Sequence, residues 1–234
     1  MNLQNATVLI TGGSSGIGKG IAQALAAAGA RVAITGRDKA RLEGASKDLG
    51  AHAIQADVSV EADVERTMRE ALQHFGHLDV LVNNAGVGVF KPLVETDPGE
   101  FERVFATNVT GAFLTARAAA KYFISRKKGN IVNIASTAGL RGAPNGTAYY
   151  GSKFALRGMT ECWRAELRKY NIRVILVNPS EVLTNFGAAA GFEQKDNPTK
   201  LRPEDIAHVV KAALEMEDRG FIPELSVFAT NPSD

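Results

Sequence analysis

The chain has 234 residues, 45% hydrophobic and 22% charged, which is an ordinary globular composition and enough chain for one large α/β core. Its formal charge is only +2 and its densest basic run is "SRKKG" at 125–129, so electrostatics argue against a nucleic-acid or membrane partner. The single cysteine, Cys162, rules out an intrachain disulfide and points to a reducing, cytoplasmic setting. The start "MNLQNATVLITGG" has neither the basic opening nor the apolar stretch of a signal peptide, and no apolar run approaches the ~18 residues of a membrane span.

Short β-branched runs alternate with helical patterns almost to the end. Strands are expected at 7–11, 31–35, 51–55, 79–83, 130–135, 172–178 and 221–229, and helices at about 16–28, 39–49, 61–75, 98–125, 148–170 and 203–216. Several strands are apolar on both faces, as strands between two helical layers must be. The expectation is therefore one α/β domain over 1–234: a Rossmann-type, doubly wound, seven-stranded and mostly parallel sheet with helices on both faces. Residues 185–202, with three Ala, two Gly and a Pro, read as a loop that could cover a substrate. His74 and His77 have no nearby His or Cys, so no metal site is expected.

Chemistry-bearing residues fall where strands end. After the first strand comes Thr11-Gly12-Gly13-Ser14-Ser15-Gly16-Ile17-Gly18, a turn that opens a helix. Glycines let the backbone bend sharply and bring amides close to an anion, and the helix N-terminus adds partial positive charge. After the second strand, where an acid would accept from a free ribose 2′-hydroxyl, the chain has Gly36 and Arg37, with Lys39 and Arg41 beyond. A guanidinium fork suits a 2′-phosphate, favouring NADP over NAD; Asp38 reads as the cap of the next helix. Asp57-Val58 and "LVNNAGVG" at 81–88 end the third and fourth strands at the same edge.

The last constellation is Ser136, Tyr149 and Lys153. Ser136 closes the fifth strand, thirteen residues before Tyr149, and Lys153 follows Tyr149 by four, on the same helical face. A strand-end hydroxyl and a phenol can converge on one carbonyl oxygen. A free phenol ionises near pH ~10, too high for acid–base work at neutrality. At roughly 5 Å and an effective dielectric of about 20, the ammonium is expected to favour phenolate by about 3 kcal/mol, some two pKa units.

Together these motifs resemble the short-chain dehydrogenase/reductase family, single-domain branch, including its 3-ketoacyl-acyl-carrier-protein reductase-like members. "TGGSSGIG", "NNAG", Ser136, "YYGSK" and "NPSEVLT" stand in the family's order and spacing along almost the whole chain. The resemblance implies that Gly12, Gly16 and Gly18 line a pyrophosphate, that Ser15 and Arg37 lie near the 2′-phosphate, and that Asp57 and Val58 flank adenine. Asn83 and Gly86 would lie along the cofactor, with Ser14, Ile17, Ala85 and Pro179 also in contact, and Val182 and Thr184 near the nicotinamide carboxamide. Ser136, Tyr149, Lys153 and Asn108 would be the catalytic set, Lys153 also binding the nicotinamide ribose, and Asn108 holding a water in a proton relay. The partners implied are NADP(H), a small carbonyl or alcohol substrate, and other copies of the chain in a homodimer or homotetramer docked through its two long helices. Position suggests Val87, Val89, Phe90, Leu140, Phe186 and Phe192 as apolar walls. Pro179-Ser180-Glu181 departs from the family's usual Pro-Gly, and "FIPELSVFATNPSD" lacks the Gly-Gly ending of ketoacyl reductases. An NAD-dependent alcohol or sugar dehydrogenase, and a non-catalytic nucleotide sensor or scaffold, remain alternatives.

Overall fold

In a computed structural model of the full chain, which describes residues 1–191 and 197–230, the expected alternation is present. The strands are β1 (Thr7–Ile10), β2 (Arg31–Gly36), β3 (His52–Gln55), β4 (Val80–Asn83), β5 (Gly129–Ile134), β6 (Ile172–Pro179) and β7 (Glu224–Val227). The helices are α1 (Gly16–Ala27), α2 (Lys39–Leu49), α3 (Glu61–Phe75), α4 (Pro98–Phe105), α5 (Ala112–Arg126), α6 (Thr147–Leu167), α7 (Phe186–Ala189) and α8 (Pro203–Glu215).

The sheet order is β3-β2-β1-β4-β5-β6-β7, and every pairing is parallel. The chain therefore runs outward from β1 to β3 and returns to β4 beside β1. At that reversal the following loops part and leave a crevice outside the carboxyl ends of the strands. Strand periodicity divides the core. Val8 and Ile10 face the layer of α1, α2 and α8, while Leu9 faces that of α3, α5 and α6; Val80 and Val82 against Leu81 repeat the pattern. These strands are buried on both sides, which explains their continuous apolar reading.

Three elements differ from the sequence reading, the first being the short α7 inside the 185–202 segment expected as a loop. The last strand is confined to Glu224–Val227 rather than 221–229; it is an edge strand, and Pro223 just before it has no N–H to extend the ladder. The long helix expected at 98–125 contains a π turn at Ala106–Gly111 between α4 and α5. Such turns add a residue to the helical repeat and re-aim the side chains they carry. Here that side chain is Asn108. His74 and His77 each have a partner: His74 stacks on His52 with centroids 4.0 Å apart, and His77 Nε2 lies 3.1 Å from Asp79 Oδ2.

Candidate active site

A cleft of about 650 Å³ follows the carboxyl edge from the ends of β2 and β3, across β1 and β4, to β5 and β6. Its volume is that of a pocket for a sizeable ligand. At its centre is the glycine turn. Gly12 has φ +65°, and a Cβ there would come within 2.9 Å of Ala85 Cα, so the turn excludes a side chain on two grounds. Thr11 and Asn84 brace it: Asn84 Nδ2 donates to Thr11 O (3.0 Å) and Gly12 O (3.1 Å), and Thr11 Oγ1 accepts from the Asn84 and Ala85 amides. Ser15 caps α1 by backbone conformation alone, its side chain accepting nothing from the helix. The first-turn amides of α1 thus open on the cleft without a carboxylate or hydroxyl of their own, the arrangement that holds a phosphate.

Most of the sequence-derived residues line this cleft: Gly12, Ser14, Ser15, Gly16 and Ile17 from the turn; Arg37, Asp57 and Val58 from the β2–β3 end; Ala85 and Gly86 after β4; Ser136, Tyr149 and Lys153; and Pro179, Val182 and Thr184 after β6. Three belong beneath it instead. Gly18 packs against the turn, where a Cβ would meet Asn84 Nδ2 at 2.4 Å and Gly12 O at 2.5 Å, so the absence of a side chain permits this close packing. Asn83 is buried, donating to Asn133 Oδ1 (3.0 Å) and Ala112 O (3.3 Å) and accepting from Thr115 Oγ1 (2.6 Å). It ties β4 to β5 and α5; its neighbour Asn84 is the amide that lines the cleft. Asn84 was missed because adjacent strand-end residues face opposite ways, and "NNAG" does not say which Asn faces out.

Asn108 is the third. Its Oδ1 accepts from Val87 N (2.8 Å), and its Nδ2 donates to Val87 O (2.9 Å) and Ser152 Oγ (2.9 Å). The side chain is thus committed to fastening the loop after β4 to α6, and the π turn aims it there. At the β2 end of the cleft, which Ser15 also lines, Ser14 has its hydroxyl beside Gly36, 3.1 Å from where a Cβ would stand. Arg41 and Asp38 line the same end.

At the opposite end, the half-buried Tyr149 lies beside Ser136, whose hydroxyl accepts from the Ala138 amide at 3.1 Å and donates to Pro179 O at 3.4 Å. Lys153 is buried, its Nζ 5.5 Å from the Tyr149 ring centre and donating to Ile134 O at 3.1 Å. The proximity is as expected, but the electrostatic outcome is not. Burial pushes the Tyr149 phenol up to about 12, the neighbouring Ser136 hydroxyl opposing it, and burial brings the Lys153 ammonium down to about 8. Desolvation penalises the charged form of each group and outweighs the attraction that an intermediate dielectric would supply. At neutral pH the site holds a protonated phenol and a largely charged lysine. A protonated phenol is the form that donates a proton.

Aromatic rings surround the phenol: Phe90 at 5.2 Å and Phe186 at 5.4 Å between centroids. A Cβ on Gly88 would strike both, at 2.9 Å from Phe90 and 2.8 Å from Phe186, so this glycine lets the loops after β4 and β6 meet. Of the other suggested apolar walls, Val87 lines the cleft, Val89 is buried behind it, Leu140 is not among the lining residues, and Phe192 lies outside the described residues. Glu181, the departure after β6, sits at the cleft with its carboxylate 2.8 Å from Lys200 Nζ. With the Val182–Leu201 bridge, this pins together the two ends of the 185–202 segment, of which 192–196 lie outside the described residues.

The fold and cleft are those of a nucleotide-binding α/β oxidoreductase, with the Ser-Tyr-Lys set at one end. The sequence matches the short chain dehydrogenase family over residues 6–195, and the chain belongs to that family. It is 31% identical over 250 residues to dehydrogenase/reductase SDR family member 7B of Bos taurus, covering 97% of this chain and 77% of that one. A crystal structure of 3-ketoacyl-(acyl-carrier-protein) reductase from Brucella melitensis complexed with NADH superposes with a TM-score of 0.91 at 33% identity, covering 97% of this chain and 98% of that one. An alcohol dehydrogenase from the archaeon Thermococcus sibiricus, complexed with 5-hydroxy-NADP, gives 0.88 at 30% identity, covering 98% and 99%. These neighbours support a nicotinamide cofactor in the cleft.

Proposed function

We propose that the protein is an NADP(H)-dependent carbonyl reductase or alcohol dehydrogenase, acting on a small or medium, fairly apolar ketone or its secondary alcohol. The observation that carries this reading is the convergence of Ser136, Tyr149 and Lys153 at the end of a cleft whose centre is an open helix N-terminus. The cleft residues fit a dinucleotide: α1 amides and Gly12 for pyrophosphate, Arg37 for a 2′-phosphate, Val58 against adenine, and Lys153, Val182 and Thr184 around the nicotinamide. When bound, that cofactor supplies or accepts the hydride, and its oxidised ring adds a positive charge.

Ser136 and Tyr149 present their hydroxyls to the carbonyl oxygen, where negative charge develops during reduction. Tyr149, protonated at neutral pH, gives its proton to that oxygen. Lys153 stabilises the phenolate that remains and holds the ribose hydroxyls. Phe90 and Phe186 exclude water and favour an apolar substituent. A 3-ketoacyl thioester is the leading named substrate, on the similarity to the Brucella reductase. Exposed Phe113 on α5 and Phe154 on α6 support docking of a second copy on these helices. A cytoplasmic location fits the cysteine usage.

The deciding experiment follows NADPH and NADH consumption across ketones, 3-ketoacyl thioesters, quinones and sugars. Ketone-dependent oxidation is expected, and an enzyme inert across the whole panel would contradict the reading. For the cofactor, Arg37→Ala is expected to weaken NADPH about tenfold or more while NADH changes less than about threefold, a charged hydrogen bond being worth ~1.5–3 kcal/mol. Equal losses in a fluorescence titration would remove the 2′-phosphate role.

A further inference from the structure

We infer that Asp38 limits how strongly this chain prefers a 2′-phosphorylated cofactor, by acting as an internal anion that occupies Arg41; the inference rests on the NADP(H) reading of the same cleft. The adenine end of the cleft carries two guanidiniums, Arg37 and Arg41, and two carboxylates, Asp38 and Asp57. Each cation already faces an acid: Arg37 Nη1 lies 3.6 Å from Asp57 Oδ2, and Arg41 Nη2 lies 3.4 Å from Asp38 Oδ2. A basic sequence, "GRDKAR", thus folds into a nearly balanced patch.

The two acids are not equivalent. Asp57 Oδ1 is held by the Ser59 amide (2.9 Å) and the Ser59 hydroxyl (2.7 Å), so its charge stays satisfied when Arg37 turns to another anion. Those hydrogen bonds and Arg37 together outweigh burial and keep its carboxyl below the usual carboxylate range. Asp38 is attached to Arg41 at both oxygens: Oδ1 accepts the Arg41 amide at 2.9 Å, and Oδ2 faces the Arg41 guanidinium.

The two helices that begin at the cleft also differ. The first turn of α1 has no side-chain cap, whereas that of α2 is filled by the Asp38 carboxylate. A phosphate near α2 meets a site where its own chemistry is already present. It must share Arg41 with a fixed negative charge or displace it, and like charges repel across this short range. Both side chains are more than half exposed, at 59% for Arg41 and 51% for Asp38, so water and salt reduce the effect to a modest factor.

Asp38→Asn tests this cleanly, because Asn caps a helix about as well as Asp and keeps an oxygen for the Arg41 amide while removing the charge. Asp38→Ser, also a good cap, is the second variant. Both are titrated with NADPH and NADH beside the wild type and Arg37→Ala, with cofactor fluorescence as readout. The expected result is an NADPH-to-NADH affinity ratio raised about three- to tenfold in both variants, through tighter NADPH, which is ~0.7–1.4 kcal/mol. NADPH binding should also fall more steeply with salt, since a freed guanidinium joins the contact. A ratio changed less than twofold in both variants overturns the inference. So does a ratio raised only because NADH weakens, which would make Asp38 an acceptor for ribose hydroxyls. If Arg37→Ala discriminates between the cofactors and Asp38→Asn does not, only the Asp38 limit fails; equal loss of both cofactors in Arg37→Ala brings down the 2′-phosphate reading itself.

Discussion

Replacing Tyr149 by Phe is expected to lower ketone-dependent NADPH oxidation by about 10³-fold or more, the scale of a lost general acid, with NADPH affinity within about threefold of wild type. The substitution removes one oxygen. The ring keeps its neighbours Phe90 and Phe186, and Ser136 keeps the Ala138 amide, so neither the fold nor the cleft has reason to change. Burial already disfavours ionisation of this phenol, so the denaturation midpoint should be unchanged below pH ~10. Turnover within tenfold of wild type would mean that another group protonates the substrate. A matched loss of cofactor binding would mean that the variant had disturbed the cleft.

Lys153→Met is expected to separate stability from activity in opposite directions. The buried ammonium donates to Ile134 O, and burial brings it from its ordinary 10.5 down to about 8. The unfolded chain therefore holds this proton to higher pH than the folded one. The penalty is fully present below pH 8 and fades as pH rises from about 8 to 10.5, so this group makes stability climb over that window. At ~1.36 kcal/mol per unit the climb is about 3 kcal/mol. Methionine has similar length and no charge to desolvate, so the variant should be more stable at pH 7 by ~1–3 kcal/mol and should lack the alkaline rise. Its turnover should fall at least ~10²-fold, because the phenolate left after proton transfer loses its nearest cation. Urea denaturation at pH 7 and pH 9.5, beside steady-state rates, reads both effects. A destabilised variant that keeps its turnover would show that Lys153 is a structural residue.

The conflict in this pair explains why its chemistry was only half legible in the chain. Four-residue spacing on a helix puts Lys153 beside Tyr149 whatever the surroundings, so the proximity followed from local geometry. The direction of each pKa shift depends on how much water the two groups lose. That is decided by Ile134, Phe90 and Phe186, which come from other parts of the chain. Asn83 and Asn84 make the same point in another way. Both sit at a strand end, where a polar pair announces a ligand edge, but which amide faces the cleft depends on the last residue of β4 in register with β5. Asn108 was legible as a polar residue inside a helix; that a π turn aims it at Val87 was not, because the turn is an adjustment to packing and leaves no mark in local propensity.

By itself the sequence determined the order of strands and helices, the glycine turn, the Ser136–Tyr149–Lys153 set and the basic residues after β2. These depend on steric rules and periodicities that act over a few neighbouring residues. Tertiary structure alone decided that Gly18, Asn83 and Asn108 work beneath the cleft, that a phenol beside an ammonium stays protonated, and that Arg37 and Arg41 each meet a carboxylate. Burial and charge balance are properties of what the fold brings together from distant positions, and no short window of sequence contains them.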